Sequence, residues 1–422
     1  MLIKVIQPID LNIFDESHLI MFEESGTPDN RNIKVLTVRS LLRGIYQRMF
    51  MTIRQPFILS LNPSLAMMGL IEGLGGFQGL LPALIQPFFG WLSDRMKRKP
   101  FIVLGSLLME FSLILFFVSG LTSSFFFIIP AVILTASSAL AMPIIDSLIA
   151  ESVETSKRSG AYNKILLAAT VPSIFSTIIG GILADRFGFI SVFTISIIIQ
   201  CIIIFIVVFF LKDGPIEKGA LNFSELRSFI HRNISPSLKL RKFYLMNVID
   251  AISVGLGPGI LYGLLRLNFG FSNSQLGILA SVNAVSMVLT QILISRKIMT
   301  YNVKKLLVLS NVGYLIYAGG SAVSNNFFVF VLLEIAMGIG IALWMPSHKT
   351  LLVNSVTKSE RAEAMGRVRL YRGIFGFPAP FIGGVLYEQF GYPVPLWGCF
   401  ILGIVTTYYI YFHIQVKENR LV

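Results

Sequence analysis

Apolar residues run along this chain in long blocks broken by short polar or basic stretches. Blocks of about 20 residues match the helix length that crosses a ~30 Å hydrocarbon core. In order they predict helices over 42–62, 65–90, 99–119, 125–150, 163–184 and 189–211. A polar stretch, 212–242, follows. A second set is predicted over 243–266, 274–294, 305–323, 327–350, 365–386 and 393–413. The pattern is that of an all-α integral membrane protein with twelve transmembrane helices in two six-helix bundles, 42–211 and 243–413. Residues 1–41 are expected as a cytoplasmic N-terminal extension, 212–242 as a cytoplasmic linker and 414–422 as a cytoplasmic C-terminal tail. The first residues carry no charged start followed by an apolar block, so they do not read as a cleaved signal peptide. The first span is the most polar, with Arg43, Gln47, Arg48, Arg54 and Gln55 in it.

Composition removes the soluble alternative. Of 422 residues, 54% are hydrophobic and 14% charged, and the mean hydropathy is +0.74, whereas a water-soluble domain carries about 25% charged residues. The net charge of +13 raises nucleic-acid binding, but the basic residues sit in short segments between apolar blocks, without interleaved stacking aromatics. They follow topology instead. The loops after helices 2, 4, 8 and 10 hold about 12 Lys and Arg, and the linker about seven more. The opposite loops hold about two, Arg186 and Arg266. Positive charge resists translocation, so both termini and the linker are expected in the cytoplasm of a multi-pass plasma-membrane protein. Cys201 and Cys399 both lie in apolar blocks and read as small buried hydrophobes, not as a disulfide or metal pair. The expected partners are the lipid bilayer and a small solute, with no nucleic acid and a monomeric state.

The chain repeats itself. Shifted by 203 positions, residues 139–189 align with 342–392 without a gap and with 17 identical pairs. Among them are Met142/Met345, Pro143/Pro346, Arg158/Arg361, Gly180/Gly383, Gly181/Gly384 and Gly188/Gly391. Six spans separate the copies, so the matched helices share orientation. The repeat is therefore parallel, about an axis along the membrane normal.

The loop after helix 2 reads Gly90-Trp91-Leu92-Ser93-Asp94-Arg95-Met96-Lys97-Arg98-Lys99-Pro100. It resembles the signature loop of the major facilitator superfamily, with Asp94, Arg95, Arg98 and Lys99 in register and Lys97 where the family usually has glycine. The resemblance covers about residues 42–413. It implies a secondary transporter working by alternating access, with a central cavity lined mainly by helices 1, 4, 7 and 10. It also implies that Asp94 lies against the start of helix 11, where Arg367, Arg369 and Arg372 are near in sequence. The second-half loop, Ser295-Arg296-Lys297-Ile298-Met299, has lost the Asp. The glycine-proline signature of many drug/proton antiporters is also missing from helix 5, which reads Ser176-Thr177-Ile178-Ile179-Gly180-Gly181; Ala379-Pro380-Phe381-Ile382-Gly383-Gly384 in helix 11 is its nearest echo.

Ionisable residues are costly against lipid, so those within spans mark cavities or pairs. Arg54 and Gln55, beside the helix-bending Pro56, suggest a grip on an anionic or carboxylate-bearing solute, or a fixed ion pair between Arg54 and Glu72. Glu72, Glu110, Asp250 and Glu334 are candidate proton carriers. Glu110 reads as structural, and Asp250, beside Asn247 and Ser253, as the first coupling candidate. Asn283 completes the substrate and coupling set. Asp146 and Lys349 occupy repeat-equivalent positions and are expected either to bridge when the cytoplasmic side closes or to be two unrelated interfacial charges. The signature residues and Arg372 complete the gating set. Glycines of helix 2, Gly69, Gly73, Gly75, Gly76 and Gly79, permit close helix contact. No nucleotide-binding loop or zinc motif is present, so no catalytic residue, metal ligand or cofactor is expected; the coupling ion would be the proton. A drug-like solute is one cargo class considered. The rival function is a transporter-like solute sensor.

Overall fold

The computed structural model describes residues 30–76, 79–154, 157–213, 223–234, 240–295, 302–357 and 360–414. Among them, nine helical stretches are long and apolar enough to cross a membrane, and a bent pair makes ten. Two further helical stretches complete twelve spans.

The first span is α1 (Asn30–Ser60). The second is α2 (Leu65–Gly75) with α3 (Leu80–Ser93), interrupted among the glycines. The third is α4 (Arg98–Thr122). The fourth joins α5 (Ile128–Ser138) to α6 (Ala141–Glu151). The break at Ala139–Leu140 has a cause in sequence, since Pro143 lacks the N–H and its ring crowds the carbonyl four residues earlier. The fifth and sixth are α7 (Arg158–Phe187) and α8 (Phe189–Phe210). A short helix, α9 (Phe223–Ile234), lies in the linker.

The seventh span is α10 (Arg241–Leu256) and α11 (Leu261–Phe269), bent by 41° around Gly257 and Pro258. Next come α12 (Asn273–Ser295), α13 (Val303–Val323) and α14 (Phe327–Ser355). The eleventh is α15 (Arg361–Gly376) with α16 (Pro378–Phe390); Phe377 between them keeps helical angles, and the ladder breaks because Pro378 has no N–H to continue it. The twelfth is α17 (Pro393–His413).

Each bundle has its own packed interior. In the first, Phe50 and Phe57 meet Phe116 and Phe193 at ring separations of 4.9 Å (Phe50–Phe116) and 4.7 Å (Phe57–Phe193). In the second, Phe269 packs on Tyr392 at 4.8 Å and Phe271 on Phe330 at 5.6 Å. Large apolar side chains also point outward, Phe205, Ile198 and Leu332 among them. Such a surface is unfavourable in water and suits hydrocarbon.

The structure revises two expectations. α1 begins at Asn30, so residues 30–41, read as extension, are helical. Ile33 and Leu36 are buried while Arg31 and Lys34 are exposed. Such an amphipathic turn escapes a search for continuous apolar blocks. Arg31 Nε donates to the Phe210 carbonyl at 3.1 Å, and Asn32 Oδ1 accepts from the Lys212 N–H at 3.0 Å, which ties this end to the end of α8. Second, the linker contains helix α9. Pro56 lies inside α1, which is one helical element across it. Residues 1–29, the tail from 415 and most of the 295–299 loop lie outside the described residues.

For orientation, the loop face carries the signature loop, and the far face is opposite. The most extensive contacts between the bundles, α7 with α12 and α2 with α16, lie toward the far face, while α3 meets α15 on the loop-face side. A Cβ on Gly69 would lie 2.1 Å from the Pro380 carbonyl oxygen, and one on Gly277 2.4 Å from that of Thr177. On the loop-face half of α7, by contrast, Tyr162, Asn163, Lys164, Leu166 and Leu167 are exposed.

Candidate substrate cavity

Between the bundles lies a cavity of about 410 Å³. Its polar lining is Arg54, Gln55, Glu72, Asn283, Tyr317, Glu334 and Arg372; Met51, Tyr262, Met337 and Ile341 add apolar surface. These residues come from spans 1, 2 and 7 to 11. The expectation that span 4 is a main contributor is not met, for it supplies no lining residue. The interrupted spans 2 and 11 take that place, because their breaks put glycine backbone (Gly73, Gly76, Gly79, Gly376) at the wall.

Three carboxylates in or beside the cavity define the chemistry, two paired with arginine and one not. Arg54 Nη2 and Glu72 Oε2 form a buried ion pair between spans 1 and 2. Arg54 is thus already paired, which is the alternative that its sequence position left open. Its Nη1 and the other Glu72 oxygen are buried without a hydrogen-bond partner.

Asp250 accepts from Arg372 Nη1 at 2.5 Å, joining span 7 to span 11. Asn247 sits one turn away, its Oδ1 2.7 Å from His348 Nε2 and 3.3 Å from Arg372 Nη1. His348 in turn stacks on Trp344 at 5.6 Å. Asp250 and Asn247, taken together from sequence, and Arg372, taken there as a gating residue, therefore form one network with His348 across spans 7, 10 and 11.

Glu334 is different. Its Oε2 accepts from Asn283 Nδ2 at 2.9 Å and its Oε1 from the Tyr317 hydroxyl at 3.1 Å. Both partners are neutral, and no ion pair to it is recorded among the described residues. Such a carboxyl is held by donors that suit its charged form but in a buried setting that disfavours charge. Gln55 closes the far end of the cavity, donating to the Gly259 carbonyl at 2.8 Å and accepting from the Gly263 N–H at 3.0 Å.

The signature loop builds a separate cluster. Arg98 is buried and pairs with Glu151 at the end of span 4, with Asp94 Oδ1 3.7 Å from the same guanidinium. Arg95 lies over the Trp91 ring at 4.1 Å and donates to Glu225 of α9 at 2.6 Å. The Lys99 N–H donates to Asp213 at 2.7 Å. A Cβ on Gly90 would meet the Pro143 ring at 3.6 Å, an ordinary contact, and the Ser93 hydroxyl donates to the Gly90 carbonyl. The loop thus ties spans 2, 3 and 4 to the linker. Asp146 and Lys349 are both exposed and form no ion pair in this conformer. Asp146 lies within electrostatic reach of both Lys349 and Arg369. Glu110 accepts from Cys201 at 3.3 Å between α4 and α8, away from the cavity.

Sequence reasoning passed over His348, Tyr262, Tyr317 and Gln86. Gln86 accepts from Arg369 at 2.5 Å across the two bundles. The only signal for them was polarity inside an apolar block, which singles out charged residues far better than Tyr or His.

The profile of the Major Facilitator Superfamily matches residues 39–256 and again 243–421, once for each bundle. The chain belongs to the Major Facilitator Superfamily. It is similar to the multidrug resistance protein MdtG of Salmonella paratyphi B, with 22% identity over 345 residues, covering 81% of this chain and 84% of that one. The Salmonella typhimurium protein of the same name matches to the same extent. Among solved structures, a D-xylose-proton symporter superposes with TM-score 0.70 at 13% identity, over 92% of this chain and 98% of that one. The nucleoside transporter NupG gives 0.68 at 14%, covering 90% and 97%. The human organic anion transporter MFSD10 gives 0.67 at 16%, covering 91% and 100%. These structures share the fold. The chain is a multi-pass membrane transporter of solutes with the superfamily's two-bundle architecture.

Proposed function

We propose that this transporter moves a small amphipathic solute through the central cavity by alternating access, driven by protons that bind at Glu334. The observation that carries the reading is the contrast among the cavity carboxylates. Glu72 and Asp250 are each neutralised by an arginine, whereas Glu334 has only Asn283 and Tyr317 as recorded partners. A bound proton at Glu334 would remove a buried charge that no arginine balances, as one does at the other two. Coupling therefore moves from Asp250, the first candidate by sequence, to Glu334.

For the solute, the unpartnered Arg54 Nη1 supports an acceptor group, carboxylate or otherwise, at one end. Met51, Met337 and Ile341 support an apolar body at the other. The likeness to MdtG proteins, named for multidrug resistance, supports a drug-like cargo. The positive-inside count supports placing the loop face, with both termini, in the cytoplasm of the plasma membrane. The conformer described is then closed to the outside. Uptake of a panel of organic anions, organic cations and nucleosides into proteoliposomes, with and without an imposed pH gradient, tests the reading. Gradient-dependent movement of at least one amphipathic member is expected; movement that ignores the gradient removes proton coupling.

A further inference from the structure

Among the contacts that join the bundles at the far face are two at positions related by the internal repeat. At the end of α7, Asp185 reaches across to the other bundle and meets the first turn of α12. Its Oδ1 accepts from the Asn273 backbone N–H at 3.0 Å and from Asn273 Nδ2 at 2.8 Å. Its Oδ2 accepts from the Ser274 N–H at 2.7 Å and the Ser274 hydroxyl at 2.5 Å. At the end of α16, Glu388 reaches the opposite way. Its Oε1 accepts from the Ala66 N–H at 2.9 Å, in the first turn of α2. Positions 185 and 388 differ by 203, the shift of the repeat.

One turn earlier on each helix stands a glycine, Gly181 or Gly384, again 203 apart. A Cβ on Gly181 would lie 2.3 Å from the Asn273 carbonyl oxygen, and one on Gly384 2.5 Å from the Ala66 Cα. The glycine lets the helices touch, and the carboxylate then reaches backbone N–H groups left free in the first turn. A negative charge also complements the positive end of the helix dipole.

We infer that Asp185 and Glu388 are paired far-face latches, each capping a helix of the opposite bundle, and that both release when the far face opens. A cap within one bundle would survive a rocking motion. These two cannot, because each joins the bundles. They therefore favour the far-closed conformer over the far-open one, and they do so from sites remote from the cavity. The inference rests on alternating access.

The test is the distance between spin labels on Thr122→Cys and Val323→Cys, exposed at the far ends of α4 and α13, in full-length protein carrying Cys201→Ser. In the parent a short distance dominates. Asp185→Asn and Glu388→Gln leave one carbonyl oxygen where two carboxylate oxygens stood. Each is expected to raise the ratio of long to short distances about fivefold, and the pair to raise it further. Glu388→Asp and Asp185→Glu are expected to restore part of the short population. Gly181→Val and Gly384→Val force the same interfaces apart without touching a charge. They carry the test if a neutralised variant does not fold. Distances that lengthen with the glycine variants but not with the neutralised acids overturn the latches alone. Distances that never change in any variant overturn the latches and alternating access together.

Discussion

Arg372 on span 11 donates to Asp250 on span 7 at 2.5 Å, and the same nitrogen lies 3.3 Å from Asn247 Oδ1. One guanidinium thus fixes two elements of the second bundle beside the cavity. Removing one member of a buried pair leaves an uncompensated charge, which costs about 3–5 kcal/mol. Arg372→Gln and Asp250→Asn are each expected to lower thermal stability in detergent. Combining them is expected to cost less than the sum, as a thermal-melt double-mutant cycle would show.

The Arg54–Glu72 pair makes a similar prediction with a different readout. Arg54→Gln strands Glu72 and also removes the free Nη1. Transport of the cognate solute is expected to fall about 100-fold or more, with Glu72→Gln less damaging because the guanidinium can still meet the solute. Initial-rate uptake at matched protein levels checks the order. Equal losses would point to a purely structural pair.

The signature-loop cluster bears on rate. Arg98 is buried between Glu151 and Asp94, so Arg98→Met is expected to destabilise the first bundle by about 3 kcal/mol. Asp94 is more exposed, 44% at its side chain. Asp94→Asn is therefore expected to slow transport several-fold while leaving insertion and melting temperature near the parent's. Unchanged uptake would reduce Asp94 to a solvated loop charge.

Asp146 and Lys349 are exposed on the loop face and do not pair with each other. In the conformer closed on that side they are proposed to meet. Reversing either charge is expected to slow transport about tenfold, and reversing both to restore much of it. Absence of rescue would leave them as unrelated interfacial charges.

The fold was readable in sequence because lipid imposes a single rule, an apolar block of fixed length, on nearly every span. Where the rule relaxes, reading from sequence weakened. α1 begins twelve residues before the expected 42 because its first turns are amphipathic and packed against the end of α8. The cavity was half readable. Charge cost selected Arg54, Glu72, Asp250 and Glu334, all of which line the cavity or contact a residue that does; it also selected Glu110, which lies away from it, and Arg372, taken from sequence as a gating residue, lines the cavity. Pairing could not be read, since which carboxylate meets which arginine depends on how spans 1, 2, 7 and 11 pack. The neutral partners Tyr317 and His348 carry no such cost signal. The far-face contacts escaped for a related reason: Asp185 and Glu388 sit at span ends, where acidic residues are ordinary.

The central claim is that Glu334 carries the coupling proton. The direct measurement compares parent protein and Glu334→Gln in proteoliposomes, using whichever panel member the parent transports, with and without an imposed pH gradient. The parent is expected to accumulate solute only with the gradient. Glu334→Gln is expected still to equilibrate solute across the membrane but to gain nothing from the gradient. A Glu334→Gln protein that concentrates solute in response to the gradient as the parent does would contradict it.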